Sequence, residues 1–256
     1  MASLSQWKAS LLKAPEFAPE FAKNAAELGL TLTEAQLDQF QRYLDLLVGH
    51  NARANLIASA EPDEIRRRHF LDSLTLAVGV KPDRISQSKL LDVGTGAGLP
   101  GLPLAIAFPD CQVTLLDATG KKIAFLQTVQ KELGLTNVTV VGSRSETAAR
   151  DPELREAFDI VVSRALARMD VLAELTLPFC RVGGEAVAYK GRGIEPELVA
   201  ATGAIKATGG GQPRVVEIND TIVGEGSGAR LVIIPKIEAT PDRYPRRDGI
   251  PNKRPL

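Results

Sequence analysis

The sequence is poor in the residues that hold metal ions or build disulfide frameworks. Its 256 residues include two cysteines, Cys111 and Cys180, and two histidines, His50 and His69. Two cysteines give no disulfide framework and are typical of a reducing compartment. Two histidines leave no cluster of histidine and cysteine for zinc or iron. We therefore expect no metal cofactor.

Long apolar runs and an excess of charge of one sign are also missing. No run approaches the roughly 18 apolar residues that a membrane-spanning helix needs. The first residues, which include Trp7 and Lys8, lack the apolar core of a signal peptide. Basic and acidic side chains each number 31, so the formal net charge is zero and any surface for a polyanion must be local. We expect a soluble cytoplasmic protein that does not act on membranes.

Short apolar segments alternate with helical segments after residue 86. The predicted strands are 88–93, 112–117, 138–141, 158–163, 185–190, 214–218 and 230–236. The predicted helices among them are 100–107, 120–134, 145–150, 170–180 and 195–207. This alternation predicts an α/β, Rossmann-like fold, with a seven-stranded, mostly parallel sheet. The loop 220–228 is too short for a crossover helix, so we expect the last two strands to form an antiparallel hairpin.

Different patterns flank this domain on both sides. Residues 1–85 are predicted to form an N-terminal helical extension packed on the core, with one helix after the capping box 33–36 and another from Pro62 to about Gly79. The Rossmann-like domain is then 86–240. The remaining residues, 241–256, form a basic, proline-rich tail that cannot build a core alone. The tail either packs back across the domain or reaches a polyanion.

The segment from Asp92 to Gly101 reads Asp-Val-Gly-Thr-Gly-Ala-Gly-Leu-Pro-Gly. It lies between an apolar strand and an apolar helix, which is the layout of a nucleotide-binding turn. Gly94, Gly96 and Gly98 would let the backbone approach a cofactor closely. The carboxylate of Asp92 suits the cationic methionine end of S-adenosylmethionine better than a pyrophosphate. The dinucleotide pattern G-x-G-x-x-G matches only in a register that starts at Gly96, so a nicotinamide cofactor stays as the alternative.

A second acid, Asp117, ends the next predicted strand, 112–117. This is the usual position of the carboxylate that accepts hydrogen bonds from ribose hydroxyls in a βαβ unit. The alternative is an ordinary polar residue at the end of a strand. Asp117 suits both cofactors and does not distinguish between them.

Later strand ends supply further candidates. Ser145 and Glu146 follow the third strand, where methyltransferases hold adenine, although both residues would also suit a helix start. Arg164 ends the fourth strand, where the substrate base meets the methyl donor, and its guanidinium could bind guanine O6 or a phosphate. A structural pair with a carboxylate is its alternative. Lys190 ends the fifth strand, where it could contact a phosphate or the base. Simple solvation beyond the strand is its alternative.

The sequence also narrows the choice of the atom that accepts the methyl group. The fourth strand is not followed by the Asn/Asp-Pro-Pro-aromatic motif that binds exocyclic amines. Guanine N7 is an acceptor that carries a free lone pair and needs no general base, so correct placement supplies most of the acceleration. We therefore predict Arg164 and Lys190 as the catalytic residues of transfer to such a base.

Several basic residues cluster near these strand ends or in the tail. Clustered cations of this kind suit RNA phosphates, and a solvated surface is the alternative. The predicted RNA-binding residues are Arg66, Arg67, His69, Lys121, Lys122, Arg144, Arg246, Arg247, Lys253 and Arg254.

Together these segments resemble the bacterial RsmG family, also called glucose-inhibited division protein B. The resembling segments are 68–73 (Arg-His-Phe-Leu-Asp-Ser), 92–101, 115–117, 121–126 (Lys-Lys-Ile-Ala-Phe-Leu), 162–165 (Val-Ser-Arg-Ala), 189–191 (Tyr-Lys-Gly) and the tail 244–256. The resemblance implies methylation of guanine N7 in 16S ribosomal RNA, naked or within the small-subunit particle, with S-adenosylmethionine as donor. We expect a monomer.

The resemblance also implies positions for the cofactor contacts. They fall on Gly94, Leu99, Ser145, Glu146 and Arg164, with Asp117 at the ribose. Two other functions stay open at this stage. One is a nicotinamide-dependent oxidoreductase, and the other is a non-catalytic RNA-binding protein that uses the cofactor as a ligand. A small-molecule methyltransferase is a weaker third, because the basic tail and the N-terminal arginines argue against it.

Overall fold

A computed structural model describes residues 17–224 and 226–256. The prediction that no signal peptide is present falls on residues outside this range. The helices are α1 Phe17–Glu27, α2 Glu34–Ala54, α3 Pro62–Glu64, α4 Asp72–Leu74, α5 Leu76–Gly79, α6 Pro82–Ser86, α7 Gly101–Ala107, α8 Gly120–Leu133, α9 Ser145–Ala148, α10 Met169–Thr176, α11 Glu195–Ala207, α12 Asp220–Val223 and α13 Ile250–Lys253. The strands are β1 Lys89–Val93, β2 Gln112–Asp117, β3 Val138–Gly142, β4 Phe158–Arg164, β5 Cys180–Lys190, β6 Arg214–Glu217 and β7 Arg230–Pro235.

The sheet confirms the predicted α/β, Rossmann-like architecture. Its seven strands lie in the order β3-β2-β1-β4-β5-β7-β6. Strands β1 to β5 are parallel, and β7 pairs antiparallel with both β5 and β6, as the predicted hairpin requires. The chain order reverses between β1 and β4. In open α/β sheets a crevice for ligands forms at such a reversal, beyond the carboxyl ends of the strands.

The N-terminal helices pack on one face of this sheet. Phe40, Tyr43 and Phe70 are fully buried. The ring of Phe70 lies within 5.5 Å of the rings of both Phe40 and Tyr43, measured between centroids. These rings belong to the same apolar cluster as the sheet residues Leu90 and Leu115. The extension is therefore joined to the domain by a shared core, and this places its polar residues beside the strand ends.

The second N-terminal helix differs from the prediction of a regular α-helix. Between α3 and α4 the chain forms a π-helix over Ile65–Leu71, in which the backbone N–H of Asp72 donates to the carbonyl of Arg67. Ile65, Phe70 and Leu71 are buried in this segment, while Arg67 stays exposed. Segments of this kind are rare and are often found at functional sites.

The fifth strand begins earlier than predicted. The segment predicted as the helix 170–180 ends at Thr176, continues as a 3₁₀ turn over Leu177–Phe179, and enters β5 at Cys180. The first half of β5 is exposed at Arg181 to Gly183, so it lacks the alternation of apolar residues that indicates a strand. Instead, the backbone N–H of Gly183 donates to the carbonyl of Lys236, which pairs this half with the chain beyond β7.

Candidate functional site

The glycine turn joins β1 to α7 at the reversal of strand order. Gly94 N–H and Thr95 N–H both donate to the carbonyl of Leu116, at 2.8 and 3.1 Å, so the turn is fixed to β2. Gly96 has a positive φ of 62°, and a Cβ there would meet nothing closer than 3.9 Å. Gly98 also has a positive φ, but its Cβ would overlap the side chain of Leu102. The position at Gly96 is therefore uncrowded, with Gly94 O and Lys122 Nζ at van der Waals distance, whereas Gly98 is required by packing.

Asp92 lies beneath this turn and is fully buried. Its Oδ2 accepts hydrogen bonds from Thr95 Oγ1 at 2.7 Å and from Gly101 N–H at 2.8 Å, so the carboxylate holds both ends of the turn. Its Oδ1 is buried without a hydrogen-bond partner among the described residues. Burial raises the pKa of Asp92 to about 6. A nearby cation would stabilise the ionised form of this buried carboxylate. That Asp92 attracts a cationic cofactor stays a prediction.

Gly101→Ala is expected to destabilise the protein by about 1–3 kcal/mol, as overpacking in a core does. A Cβ at Gly101 would overlap Leu115 Cδ2 and lie 2.9 Å from Asp92 Oδ2. Urea denaturation measures the effect. Gly120→Ala is the control, since a Cβ there meets nothing within 4 Å and φ is not positive. Equal denaturation midpoints for the two variants would contradict the packing argument.

Asp117 connects the turn to the end of β2. Its Oδ2 accepts from Gly96 N–H at 3.0 Å, and its Oδ1 accepts from Thr119 N–H at 2.8 Å. The Nζ of Lys122 lies 3.4 Å from the same Oδ2, in an ion pair over the carboxylate. The carboxylate is thus positioned by two backbone amides beside Gly96. Lys122, predicted to bind RNA, lies at the candidate ribose position instead.

The residues predicted to adjoin adenine use their side chains within the protein. Ser143 N–H donates to the carbonyl of Asp117, which places this turn beside the candidate ribose position. Ser145 Oγ donates to the carbonyl of Leu175 at 2.7 Å, and the Oε1 of the buried Glu146 accepts from Gly249 N–H at 2.8 Å. Both side chains are thus engaged within the protein, and a contact of either with the adenine stays a prediction.

Arg164 extends from the end of β4 to the π-helix. Its Nη1 donates to Asp72 Oδ2 and to the carbonyl of Arg68, each at 3.0 Å, and its Nη2 lies 3.2 Å from His69 Nδ1. The side chains of Arg164 and Asp72 are 16% and 18% exposed. The geometry is that of the structural pair, the alternative for this residue. A catalytic role for Arg164 stays a prediction.

His69 is expected to remain neutral at physiological pH. Burial first, and then the neighbouring Arg164 guanidinium, lower its pKa from 6.5 to about 4. A lowered folded pKa means that His69 contributes stability in full above pH 6.5 and loses it as pH falls toward 4.

The titration of the His69 imidazole can be followed by NMR. Arg164→Gln should move the pKa of His69 upward, since it removes the neighbouring cation. A pKa of His69 at or above 6.5 in the unmodified protein would contradict the contact.

Lys190 is anchored at the end of β5. Its Nζ donates to the carbonyl of Ala167 at 2.9 Å and to Glu197 Oε2 at 2.8 Å, and its side chain is 14% exposed. Lys190 and Asp72 line one cavity of about 360 Å³ at the carboxyl end of the sheet. A catalytic role for Lys190 stays a prediction, with this cavity as the space that it faces.

Four residues of the site were not singled out from the sequence as site residues. The hydroxyl of Tyr43 donates to the carbonyl of Ala97 in the turn at 2.7 Å. Leu166 lies against Gly94, Thr95 bonds to Asp92, and Asp72 bonds to Arg164. Thr95 and Asp72 left a signal in the sequence, because they lie in the segments 92–101 and 68–73 that resemble the family.

Apart from His69 and Lys122, which are described above, the predicted RNA-binding residues fall into two groups. Arg66 and Arg67 form ion pairs with Asp63 and Glu20 at the protein surface, and such pairs are weak enough to exchange for phosphate. Exposed side chains that point to solvent form the rest of the first group: Lys121, Arg144, Arg247, Lys253 and Arg254. Arg246 differs, because its guanidinium binds the carboxylate of Glu174, which has no exposed surface. This guanidinium is engaged within the protein, and its contact with RNA stays a prediction.

Two further features concern the chain as far as it is described. Within residues 17–224 and 226–256, no helix has the length and apolar character needed to cross a membrane. Over the same residues, no group of three or more histidine, cysteine, aspartate or glutamate side chains is arranged to hold a metal ion.

Comparisons with known proteins agree with this geometry. The family GidB, described as rRNA small subunit methyltransferase G, matches residues 36–222. Ribosomal RNA small subunit methyltransferase G of Dehalococcoides mccartyi is 45% identical over 238 residues, which cover 93% of this chain and 99% of that protein. The protein of the same name from Brevibacillus brevis is 44% identical, with coverages of 93% and 98%. A solved structure of a predicted O-methyltransferase from Agrobacterium tumefaciens is 16% identical, with a TM-score of 0.50 over 67% of this chain and 81% of that one, and the likeness concerns the fold.

Proposed function

Because the chain belongs to the rRNA small subunit methyltransferase G family, we propose that it transfers a methyl group from S-adenosylmethionine to N7 of a guanine in 16S ribosomal RNA. One observation carries the proposal. A glycine turn with an uncrowded position at Gly96 lies between the carboxylates of Asp92 and Asp117, at the reversal of strand order. This arrangement suits a ligand with a cationic end and a ribose.

The residues of the site fit S-adenosylmethionine at both ends. The carboxylate of Asp117 would accept from the ribose hydroxyls, with Gly96 N–H and Thr119 N–H holding it in place. Asp92, with one buried oxygen unpartnered, would attract the positive methionine end through the turn. Backbone groups near Ser145 and Glu146 would hold the adenine. When bound, S-adenosylmethionine supplies an electrophilic methyl group.

The acceptor side follows from the chemistry of guanine. N7 carries a lone pair and no proton, so the chain has to place the base and needs no general base. We assign the guanine to the cavity of about 360 Å³ beside Lys190 and Asp72. Lys190 would orient the base or a neighbouring phosphate. Arg164, which holds Asp72 in place, would position this side of the cavity.

The RNA backbone would lie on the exposed cations around the cofactor site. Lys121 and Arg144 lie near the carboxyl ends of β2 and β3, and the tail adds Arg247, Lys253 and Arg254. A chain without net charge needs such a local surface for a polyanion. The proposal includes a monomer that acts in the cytoplasm, where ribosomal RNA is assembled into subunits.

Transfer of a labelled methyl group tests the proposal. The protein is incubated with S-adenosylmethionine labelled in the methyl group and with either naked 16S RNA or small-subunit particles that lack the modification. We expect label at one guanine, as N7-methylguanosine, on at least one of the two substrates. Cofactor binding without transfer would favour the non-catalytic RNA-binding protein. Tight binding of reduced nicotinamide in a fluorescence titration, with no binding of S-adenosylmethionine, would favour the oxidoreductase.

A further inference from the structure

A buried ion pair anchors the C-terminal tail to the domain. Glu174 on α10 has no exposed side-chain surface. Its Oε1 accepts from the backbone N–H of Arg246 at 2.7 Å, and its two oxygens accept from the Arg246 guanidinium at distances from 2.7 to 3.1 Å. A buried carboxylate without such a partner is strongly unfavourable. The tail therefore has one defined position on α10.

A second anchor fixes the tail to α9, the short helix that follows β3. Gly249 N–H donates to Glu146 Oε1 at 2.8 Å, and Thr147 Oγ1 donates to Asp248 Oδ1 at 2.9 Å. Glu146 is only 5% exposed, so its carboxylate is engaged by the tail and not by solvent. Charge-assisted hydrogen bonds to a backbone amide are among the stronger ones in proteins.

The same short helix borders the candidate cofactor site. Ser143 N–H donates to the carbonyl of Asp117, and Ser145 Oγ donates to the carbonyl of Leu175 on α10. The segment 143–146 is therefore held from three sides: by β2, by α10 and by the tail. Since α9 has only four residues, its own hydrogen bonds do little to define its position.

We propose that residues 245–249 of the tail act as a clamp that positions the adenine side of the cofactor site, with Glu146 and the Glu174–Arg246 pair as positioning residues. The inference rests on the proposed function, because it takes the segment 143–146 to adjoin the adenine. The clamp gives the tail a role in cofactor affinity, separate from the RNA contacts of its exposed cations. Glu146 then acts through the backbone of its own helix and not by touching the cofactor.

Releasing the tail without altering Glu146 separates the clamp from a direct contact. The double variant Arg246→Ala/Glu174→Gln removes both charges of the buried pair, so no unpaired charge is left. If the tail acts as a clamp, the double variant should bind S-adenosylmethionine about tenfold more weakly than the unmodified protein, as measured by calorimetry. This is the loss expected for one charged hydrogen bond. The KM for the cofactor should rise by a similar factor, while kcat at saturating cofactor stays within about twofold.

Variants at Glu146 complete the test. Glu146→Ala should weaken cofactor binding about as much as the double variant, and combining them should add little, because both open one clamp. Glu146→Gln keeps an acceptor for Gly249 N–H and should recover most of the loss. Glu153→Ala, at an exposed glutamate beyond α9, is the matched control and should bind the cofactor as the unmodified protein does.

The outcomes are distinguishable. If Glu146→Ala loses affinity while Arg246→Ala/Glu174→Gln does not, Glu146 contacts the cofactor directly and the clamp is wrong. If the unmodified protein does not bind S-adenosylmethionine, the proposed function fails instead. If the double variant unfolds below the assay temperature, Arg246→Lys is measured in its place. This variant keeps the positive charge but loses the bidentate contact with Glu174. An unchanged affinity in that variant overturns the clamp, and a partial loss supports it.

Discussion

Asp117→Ala is expected to weaken S-adenosylmethionine binding by about two orders of magnitude, because hydrogen bonds to a charged group contribute about 1.5–3 kcal/mol each. The carboxylate is 7% exposed and is fixed by Gly96 N–H and Thr119 N–H, so its oxygens are positioned before any ligand arrives. The substitution would remove the acceptors for the ribose and would also release the turn at Gly96. Calorimetry with the full chain measures the loss.

Two controls make this result specific. Asp110→Ala removes an exposed acid just before β2 and should leave cofactor affinity unchanged. Asp117→Asn keeps one acceptor and should fall between the unmodified protein and the alanine variant. If Asp117→Ala binds the cofactor with unchanged affinity, the ribose assignment is wrong.

Arg164→Ala is expected to lower the free energy of unfolding by about 3 kcal/mol, the cost typical of leaving one partner of a buried ion pair alone. The lost partner is Asp72, whose side chain is 18% exposed and whose pKa is already raised by burial. The π-helix would lose its link to β4 at the same time. Chemical denaturation of the full chain measures the change.

The double variant Arg164→Ala/Asp72→Asn separates the structural role of Arg164 from a catalytic one. Removing the charge of Asp72 should restore most of the lost stability, because no unpaired carboxylate remains. If Arg164 only positions Asp72 and the π-helix, methyl transfer should recover along with stability. If Arg164 contacts the guanine, transfer should stay low in the stable double variant. Full stability of the single variant Arg164→Ala would contradict the structural pair itself.

The parts of this protein that the sequence predicts well are those that depend on local patterns. The strands of the parallel sheet are continuous apolar segments, since both faces are covered, and the turn from Asp92 to Gly101 follows one of them directly. Asp117 could be predicted for the same reason, because its position at the end of β2 fixes its place beside the turn. Local sequence patterns were enough to place the turn and Asp117 next to each other.

The rest depends on contacts between distant parts of the chain. Arg164 and Asp72 are 92 residues apart, Arg246 and Glu174 are 72 apart, and Gly249 and Glu146 are 103 apart. No local pattern indicates which carboxylate a given arginine will meet. The sequence therefore predicts Arg164 as a base-binding residue and Arg246 as an RNA-binding one, and it gives no sign of the carboxylates with which they pair in the fold.

The π-helix was missed for a related reason. The apolar spacing from Ile65 to Phe70 is five residues, which departs from the three- or four-residue spacing of an α-helix. Without knowledge of the core that buries both side chains, such a departure reads as an ordinary irregularity. The segment matters for the candidate site, because it carries His69 and leads into Asp72, and both residues contact Arg164.

The most direct test of the account is the methylation state of 16S ribosomal RNA in cells with and without the gene for this chain. We predict that one N7-methylguanosine disappears when the gene is removed, returns when the unmodified gene is restored, and does not return with Asp117→Ala. Chemical cleavage at N7-methylguanosine, followed by primer extension, maps the position. An identical set of modified guanines in all four samples would contradict the account.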